Sequence, residues 1–278
     1  MGLRIKNNMA SQEVQKNLRE TSDKAMTSLT KLSSGKRITK SSDDAAGLAI
    51  ATNLESQTRG LRQATRNAND GISLVQTAEG GLTEVSNILI RLRELSVQSA
   101  SDTIGEHERQ LLDREYQELV DEVDRISGST TFNGTHLLNG QSGKGTLDFH
   151  VGAFSGEQNR IQFDADATDA SASGIGISGI SVETKEDARN AIHEVDSAIS
   201  QVSELRAGLG SIQSRLQSTV STLEVQTINQ DAARSAIQDV DVAAETSTLA
   251  STNILKSAGI STLVQANNIP NAALRLIG

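Results

Sequence analysis

The sequence predicts a mainly α-helical protein, in which the N- and C-terminal halves form a long antiparallel helical coiled-coil bundle with a small central β-hairpin region. Residues 59–100 place apolar or small side chains at heptad spacing over five consecutive heptads, far longer than a compact globular helix needs. Among 278 residues there is a single proline, Pro270, which leaves almost the whole chain free to be helical. Aromatic residues make up only 2% of the chain. The terminal regions must therefore pack through Leu, Ile, Val and Ala, which suit helix seams.

The heptads of residues 59–100 define a rod that needs partner helices. One core position holds Leu61, Ala68, Val75, Leu82 and Leu89, and the other holds Ala64, Gly71, Ala78, Val85 and Leu92. The small residues among them allow another helix to come close. The pattern leaves open whether that helix lies in the same chain, in other copies or in both.

The N-terminal region, residues 1–42, is predicted to be an amphipathic helix followed by a polar connector. The apolar stripe of this helix is Val14, Leu18, Ala25, Leu29 and Leu32. Gly35 suits the left-handed position that follows the last turn of a helix. Ser42 or Asp43 is expected to cap the next helix, because both side chains can accept a hydrogen bond from its first turn.

Residues 43–126 are predicted to contain the rod and, after a break at residues 101–106, a second helix that returns antiparallel to it. The carboxylates of this second helix, such as Asp124, are expected to form a solvated face. Residues 127–183 are rich in glycine and are expected to be solvent-facing, with loops and one β-hairpin. Its strands alternate apolar with polar residues, the apolar ones being Leu147, Phe149 and Val151, then Ile161, Phe163 and Ala165.

Residues 184–230 are predicted to form a helix that opens with a capping-box-like pattern at Thr184 and pairs along the rod. A further helix is expected over residues 231–278, ended by Pro270. Its stripe is weak and rich in Ser, Thr and Ala. Apolar burial at about 25 cal/mol per Å2 would not offset ordering costs of roughly 1–2 kcal/mol per residue without a partner. The terminal regions therefore need neighbours.

Composition and motifs argue against several classes of function. The net charge of −9 disfavours a nucleic-acid partner, and no apolar run is long enough for a membrane span or a secretory signal. A GxGxxG match at residues 174–179 lacks the strand–helix context of a dinucleotide site and is expected to be a flexible loop. His107-Glu108 begins like a metalloprotease motif, but Leu111 stands where the second zinc ligand should be. The chain has no cysteine, which excludes a disulfide scaffold, a thiolate metal site and a cysteine nucleophile. Since none of these motifs indicates a catalytic or binding site, we expect no metal, no cofactor and no enzymatic activity.

Five long motifs resemble the terminal regions of bacterial flagellin. They are LSSGKRITKSSDDAAGLAIA (residues 32–51), ATRNANDGISLVQTAEGGL (64–82), RLRELSVQSA (91–100), VDRISGSTTFNG (123–134) and ILKSAGISTLVQANNIP (254–270). The resemblance covers about residues 1–140 and 185–278. Only about 50 residues separate the two halves, too few for the outer variable domains of larger flagellins. The chain therefore resembles a minimal flagellin.

This resemblance implies a structural subunit that self-assembles into the extracellular filament of the bacterial flagellum, which is used for swimming motility. Residues 1–42 and 231–278 would form the inner tube of the filament, and residues 43–126 and 184–230 the wall, with residues 127–183 as its solvent-facing part. The implied partners are other copies of the chain, a flagellar cap, hook–filament junction proteins and an export chaperone of the type III pathway. The alternative is a hook–filament junction protein or another secreted coiled-coil interaction module.

Two sets of site residues follow. The apolar stripes of the terminal helices predict a subunit interface at Leu18, Leu29, Leu32, Ile254, Leu263, Leu274 and Leu276. The resemblance also implies a surface that a host Toll-like receptor could recognise, at the positions Arg91, Leu95, Gln98 and Glu115. The alternative for Arg91 and Glu115 is that they only bridge helices or subunits.

Overall fold

The computed structural model describes residues 7–277, with side chains over residues 7–268. The helices are α1 (Met9–Ser34), α2 (Ala45–Ser99), α3 (Glu106–Ser129), α4 (Lys185–Gln238) and α5 (Val242–Ile277), and the strands are β1 (Thr131–Phe132), β2 (Thr135–His136), β3 (Thr146–His150) and β4 (Arg160–Asp164). The chain divides into two compact units. The terminal unit comprises residues up to 56 together with those from 229 onward, and the central unit comprises residues 57–228. The predicted fold class is confirmed.

The heptad rod is confirmed in α2, which runs without interruption for 55 residues. All ten predicted core positions are buried. One partner helix of the rod lies in the same chain, since α4 packs along α2. The two helices are antiparallel, because Arg93 near the end of α2 pairs with Asp196 near the start of α4, whereas Gly71 approaches the later residue Leu216. A Cβ atom at Gly71 would lie 3.2 Å from the Leu216 side chain. The small residue therefore permits close helix packing at that point.

The second helix, α3, folds back along α2 as predicted. An ion pair between Arg91 and Glu115 joins the two helices across their short connection. The Tyr116 side chain is fully buried, and Val120 and Val123 are buried beside it. These residues belong to one core that also includes side chains of α2, α4 and the segment between α3 and α4.

Residues 127–183 contribute side chains to the core of the central unit as well as to its surface. The predicted hairpin is present as the antiparallel pair of β3 and β4, with Leu147 opposite Phe163 and Phe149 opposite Ile161. Because side chains alternate between the two faces of a strand, one face carries the apolar residues. That face and the neighbouring loops join the core, with buried side chains at Leu137, Leu138, Val151, Ile161, Phe163, Ala170, Ala172, Ile175 and Ile177.

The glycine-rich stretch at residues 174–179 is packed against the core, so the prediction of a flexible loop is wrong. Its two isoleucine side chains are buried. Carboxylates of α3 hold the flanking backbone: Asp124 accepts the Ala172 N–H and Asp113 accepts the Val182 N–H, each at 2.7 Å. A non-helical segment on a core needs partners for its backbone donors. The carboxylate of Asp124 therefore has a structural role beyond that of a solvated face.

The connector between α1 and α2 ends one helix and caps the next. Gly35 adopts the left-handed conformation with φ 70°, as predicted. The cap of α2 is Asp44, whose carboxylate accepts the Gly47 N–H at 2.8 Å. The predicted positions Ser42 and Asp43 were therefore too early. The Asp43 carboxylate accepts hydrogen bonds within the connector, which lower its pKa.

The start of α4 is confirmed at its cap, where Thr184 accepts the Asp187 N–H at 3.1 Å. The predicted boundary at residue 231 is wrong, because α4 continues to Gln238 through residues that do not break a helix. The C-terminal helix begins at Val242 instead, where Asp241 accepts the N–H groups of its first turn.

The predicted end of the C-terminal helix at Pro270 is also wrong, since α5 continues to Ile277. A proline removes one backbone donor and crowds the preceding turn. These effects weaken or bend a helix without having to end it.

Candidate functional site

The first candidate surface is built on the antiparallel pair of α1 and α5 in the terminal unit. Near the start of α1, the Asn8 side chain donates to the Ala266 carbonyl at 2.9 Å. The Ser11 hydroxyl donates to the Asn267 side-chain oxygen at 2.7 Å. These two bonds fix the register of the two helices at this end of the pair.

The seam between α1 and α5 contains few large apolar groups. The buried residues of α1 are Ser11 and Ser28, whereas Leu18 is only half-buried. A Cβ atom at Gly259 of α5 would lie 3.3 Å from Leu18, so the helices approach closely there. The seam thus gains little from apolar burial.

The two connectors of the terminal unit hold each other at the base of this pair. A short antiparallel bridge joins them, with the Arg37 N–H donating to the Gln238 carbonyl at 2.7 Å and the Val240 N–H donating to the Gly35 carbonyl at 3.0 Å. The Arg37 guanidinium also donates to the Ile237 carbonyl at 2.6 Å. The end of α1 and the start of α5 are therefore held together at this point.

Large apolar side chains of the terminal unit point outward. Nine of them, among the described residues, have between 49% and 69% of their surface exposed: Met9, Met26, Leu29, Ile50, Val242, Ile254, Leu255, Ile260 and Val264. The buried apolar residues of the same unit are Ile38, Ala51 and Ala266. This inverts the usual arrangement of a folded domain, and such exposed apolar surface is typical of sites that contact other proteins.

The predicted interface residues differ in how far they reach this surface. Leu29 and Ile254 are exposed, at 54% and 69%. Leu18, Leu32 and Leu263 are half-buried, so part of each is used within the pair and part remains at the surface. Two more predicted residues, Leu274 and Leu276, have side chains outside the described residues.

The sequence prediction missed most of the exposed apolar residues. Met26, Leu255 and Val264 are examples that lie off the stripes by which the terminal helices were recognised. They could have been found by looking for large apolar residues on the face that is polar in an ordinary amphipathic helix.

The second candidate surface lies on α2 and α3 of the central unit. The Arg91 guanidinium donates to the Glu115 carboxylate at 2.7 Å and to Glu94 at 3.0 Å. The hydrogen bonds that Arg91 donates to Glu115, and to a lesser extent to Glu94, stabilise the charged guanidinium and raise the pKa of Arg91. All three side chains are about half exposed. They form a fixed, mixed-charge patch.

The other two residues predicted for this surface separate in the structure. Gln98 is exposed and lies on the same face of α2 as Arg91, seven residues or about two turns further along. Leu95 is fully buried in the core of the central unit. Its side chain is not available at the surface, because it follows Leu92 by three residues and so lies on the packed face of α2. We therefore remove Leu95 from the set of direct contacts.

Within residues 7–277, no helix is apolar enough over a membrane-spanning length. The same residues contain no group of three or more His, Asp and Glu side chains with the geometry of a metal site. His107, His136, His150 and His193 lie apart along the chain. The features that stand out in the described part of the chain are thus surfaces for protein contacts.

The fold and the exposed surface together define a class of protein. A helical chain with a packed core in one unit and outward apolar side chains in the other belongs to the proteins that bury further surface by contact with other proteins. Comparison with known proteins identifies the family. The family model for the bacterial flagellin N-terminal helical region matches residues 5–143, and that for the C-terminal helical region matches residues 192–277. The chain belongs to the bacterial flagellin family.

Curated relatives support this over nearly the whole length. A flagellin of Halalkalibacterium halodurans is 41% identical over 273 residues, which cover 98% of this chain and 99% of the relative. A flagellar filament 33 kDa core protein of Treponema phagedenis is 37% identical over 285 residues, covering 98% and 99%. Because these relatives are covered to their full length, they share the short central region.

A solved structure supports the fold. The crystal structure of Bacillus cereus flagellin superposes with a TM-score of 0.51 at 28% identity, covering 61% of this chain and 94% of that chain. The similarity in sequence and in fold therefore points to the same family.

Proposed function

We propose that this chain is a structural subunit that self-assembles into the helical filament of the bacterial flagellum, outside the cell, and so serves swimming motility. The observation that carries the proposal is the outward apolar surface of the terminal unit in a chain of the flagellin family. Other copies of the chain are the partners that cover this surface. The filament is a structural assembly, and the proposal assigns the chain no catalytic role.

The layout of the subunit within the filament is the one that the flagellin resemblance implies. Residues 1–42 and 231–278 form the inner tube, and residues 43–126 and 184–230 form the wall, with residues 127–183 as its outward part. The terminal unit reaches to residue 56 and starts again at residue 229, close to these limits. The interface residues are Leu18, Leu29, Leu32, Ile254, Leu263, Leu274 and Leu276.

Burial between copies supplies the free energy that the terminal unit lacks alone. Full burial of a Leu, Ile, Val or Met side chain stabilises by roughly 1.5–3 kcal/mol. The nine exposed side chains of the terminal unit retain about half or more of that gain for contacts outside the chain. Head-to-tail contacts that do not close on themselves extend such an assembly into a helix.

The test is to remove about 40 residues from either end and look for fibres by negative-stain electron microscopy and sedimentation. Full-length protein forms fibres, and either truncation abolishes them. Thermal unfolding followed by circular dichroism checks that the core around Tyr116, which contains none of the removed residues, stays folded. Fibres of normal appearance from a truncated chain would refute the proposal.

The remaining partners come from the family resemblance and belong to assembly. They are an export chaperone, the type III export apparatus, the flagellar cap at the growing tip, and hook–filament junction proteins at the base. The alternative, that the chain is itself a junction protein or another secreted coiled-coil module, is less supported. Both matching family models are those of flagellin.

We also propose that a host Toll-like receptor recognises the patch formed by Arg91, Gln98 and Glu115. Their exposure and the fixed ion pair between Arg91 and Glu115 support this, whereas Leu95 acts only by packing beneath them. The Arg91→Asp variant is expected to lose signalling in a receptor reporter assay. Arg93→Asp is the matched control, because Arg93 is equally exposed on the same helix and also ion-paired.

If Arg91→Asp signals as well as the parent, Arg91 and Glu115 only bridge helices. Loss of signalling in both variants would point to a disturbed fold rather than to a specific contact. Circular dichroism of both proteins distinguishes these cases.

A further inference from the structure

Both methionines in the described part of the chain lie on one helix, α1. The chain has three methionines and no cysteine. The two methionines among the described residues, Met9 and Met26, both lie on α1, with 64% and 66% of their surface exposed. Susceptibility of a thioether to oxidation follows its exposure. No thiol in the chain competes for an oxidant.

Met26 lies within the apolar surface of the terminal unit. Leu29, three residues later, is 54% exposed, and residues with this spacing are neighbours on a helix surface. Met9 begins the helix, about 26 Å away along its axis at 1.5 Å per residue and on a different face. The two methionines are therefore similar in exposure and different in surroundings, which makes Met9 a comparator for Met26.

We propose that Met26 makes self-assembly sensitive to oxidation: its conversion to the sulfoxide by hydrogen peroxide in the free subunit prevents polymerisation, and burial in the filament protects it. The inference rests on the proposed function, since the occupant of this surface is a second copy of the chain. Two observations support a second copy as the partner: the exposed apolar side chains of the terminal unit, and the relative described as a flagellar filament core protein.

The chemical step is a two-electron oxygen transfer. A lone pair of the Met26 sulfur attacks one peroxide oxygen, the O–O bond breaks, and the other oxygen leaves as water after a proton shift. The sulfur is oxidised to the sulfoxide and the peroxide is reduced. Methionine sulfoxide reductases reverse the change.

The sulfoxide changes assembly because it is polar where the thioether is apolar. Burying a polar group without a hydrogen-bond partner is unfavourable in proteins. A tenfold change in an equilibrium constant corresponds to about 1.4 kcal/mol. The critical concentration for polymerisation is therefore expected to rise about tenfold. The fold of the free subunit is expected to stay unchanged, because Met26 contributes mostly exposed surface.

The experiment treats free full-length subunit and assembled filament with hydrogen peroxide and follows three quantities. Mass spectrometry of the peptide that contains Met26 gives the extent of oxidation, sedimentation gives the critical concentration, and circular dichroism reports the fold. Oxidised subunit is expected to need about ten times the concentration to polymerise, and reductase treatment restores the parent value. In assembled filament, Met26 is oxidised more slowly than in free subunit.

Two matched variants assign the effect to one residue. Met26→Leu keeps an apolar side chain of similar size and is expected to polymerise equally well with and without peroxide. Met9→Leu is expected to remain as sensitive as the parent. Met26→Gln, which places a polar group of similar length there, raises the critical concentration without any oxidant.

The inference is overturned if Met26→Leu is as sensitive to peroxide as the parent, or if Met26 reacts at the same rate in filament and in free subunit. It is also overturned if the fully oxidised parent polymerises normally. A different result, failure of the untreated parent to polymerise at all, would refute the proposed function itself. The two failures are thus distinguishable.

Discussion

The two units of this chain use similar aliphatic residues in opposite ways. In residues 57–228, buried apolar side chains of three helices and a hairpin segment form a large core around Tyr116, and a small second cluster contains Leu61, Ala64 and Leu223. In the terminal unit, the fully buried residues of α1 are serines and apolar residues such as Leu18 are only half-buried, while large side chains such as Met26 and Ile254 point outward. The contrast shows that hydrophobic content alone does not make a core. A third layer must be present to cover the second face of a helix pair.

The polar contacts of the two units differ in the same direction. In the central unit, side chains of α2 and α3 hold the non-helical segment by hydrogen bonds such as those of Ser99 to the Val182 carbonyl and Gln117 to the Ile180 carbonyl. In the terminal unit, the long-range bonds cluster at the ends of the helix pair. The bonds named for the central unit therefore tie its non-helical segment to the helices, whereas those of the terminal pair join only the ends of its two helices.

The largest effect is expected when a side chain of the closed core is removed. Leu89→Ala deletes a fully buried side chain and should lower the free energy of unfolding by about 2–5 kcal/mol. The adjacent Ile90→Ala, at a position 49% exposed, should lower it by less than about half as much. Urea unfolding of the two variants checks this. Equal losses would contradict the closed-core description of the central unit.

The next effect concerns the open surface. Ile254→Ser replaces an exposed apolar residue of α5, so the free energy of unfolding of the free subunit should change by no more than about 0.5 kcal/mol. The critical concentration for polymerisation should rise about tenfold, because apolar burial between copies is lost. Ser257→Ala, at an exposed polar position of the same helix, is the control and should polymerise like the parent. Destabilisation of the free subunit by Ile254→Ser would break the comparison.

A smaller effect tests a buried polar atom of the central core that has no hydrogen-bond partner among the described residues. The Tyr116 hydroxyl is buried, and no described group accepts or donates a hydrogen bond to it. Burial, with Asp113 nearby, raises the pKa of Tyr116 to about 12. Tyr116→Phe should therefore raise the free energy of unfolding by about 1 kcal/mol. Differential scanning calorimetry measures this, and a clear loss of stability would mean that the hydroxyl has a partner.

The smallest effect is a pH dependence in the loops of the central unit. The Ser142 hydroxyl and backbone N–H donate to Asp166 at 2.7 and 3.0 Å, which lowers the pKa of this carboxyl below 3.8. Because the folded-state pKa lies below the unfolded one, the stabilisation is present above about pH 4 and is lost as the pH falls through the folded-state value. Asp166→Asn should therefore be less stable than the parent at about pH 6 and closer to it at about pH 3. Urea midpoints at both pH values report the difference. A gap that does not narrow on acidification would contradict the assigned hydrogen bonds.

The helices were predictable because their signals are local. Heptad spacing defined α2 and its buried positions, the glycine at position 35 indicated one helix end, and the Thr184 side chain indicated one helix start. The errors came where several local solutions are nearly equal. Nothing around residue 231 breaks a helix, so α4 extends to Gln238, and Pro270 alone does not stop α5.

The packed segment at residues 174–179 and the capture of its flanks by Asp113 and Asp124 were not predictable from the sequence. Glycine-rich composition favours a loop, and only distant carboxylates on α3 turn that loop into part of a core. The burial of Leu95 is different, since its spacing of three residues from the core position Leu92 could have indicated that it lies on the packed face of α2. There the family resemblance was given more weight than the helical position.

The sequence by itself determined the long helices, their antiparallel return, the presence of the hairpin and the flagellin family, because each depends on periodicity or on motifs of many residues. In the terminal unit, only the tertiary structure decided which apolar residues are inward and which are outward. Met26 and Ile254 have the same chemistry as the core residues. They are exposed because the helix pair that carries them has no third layer of its own within the terminal unit.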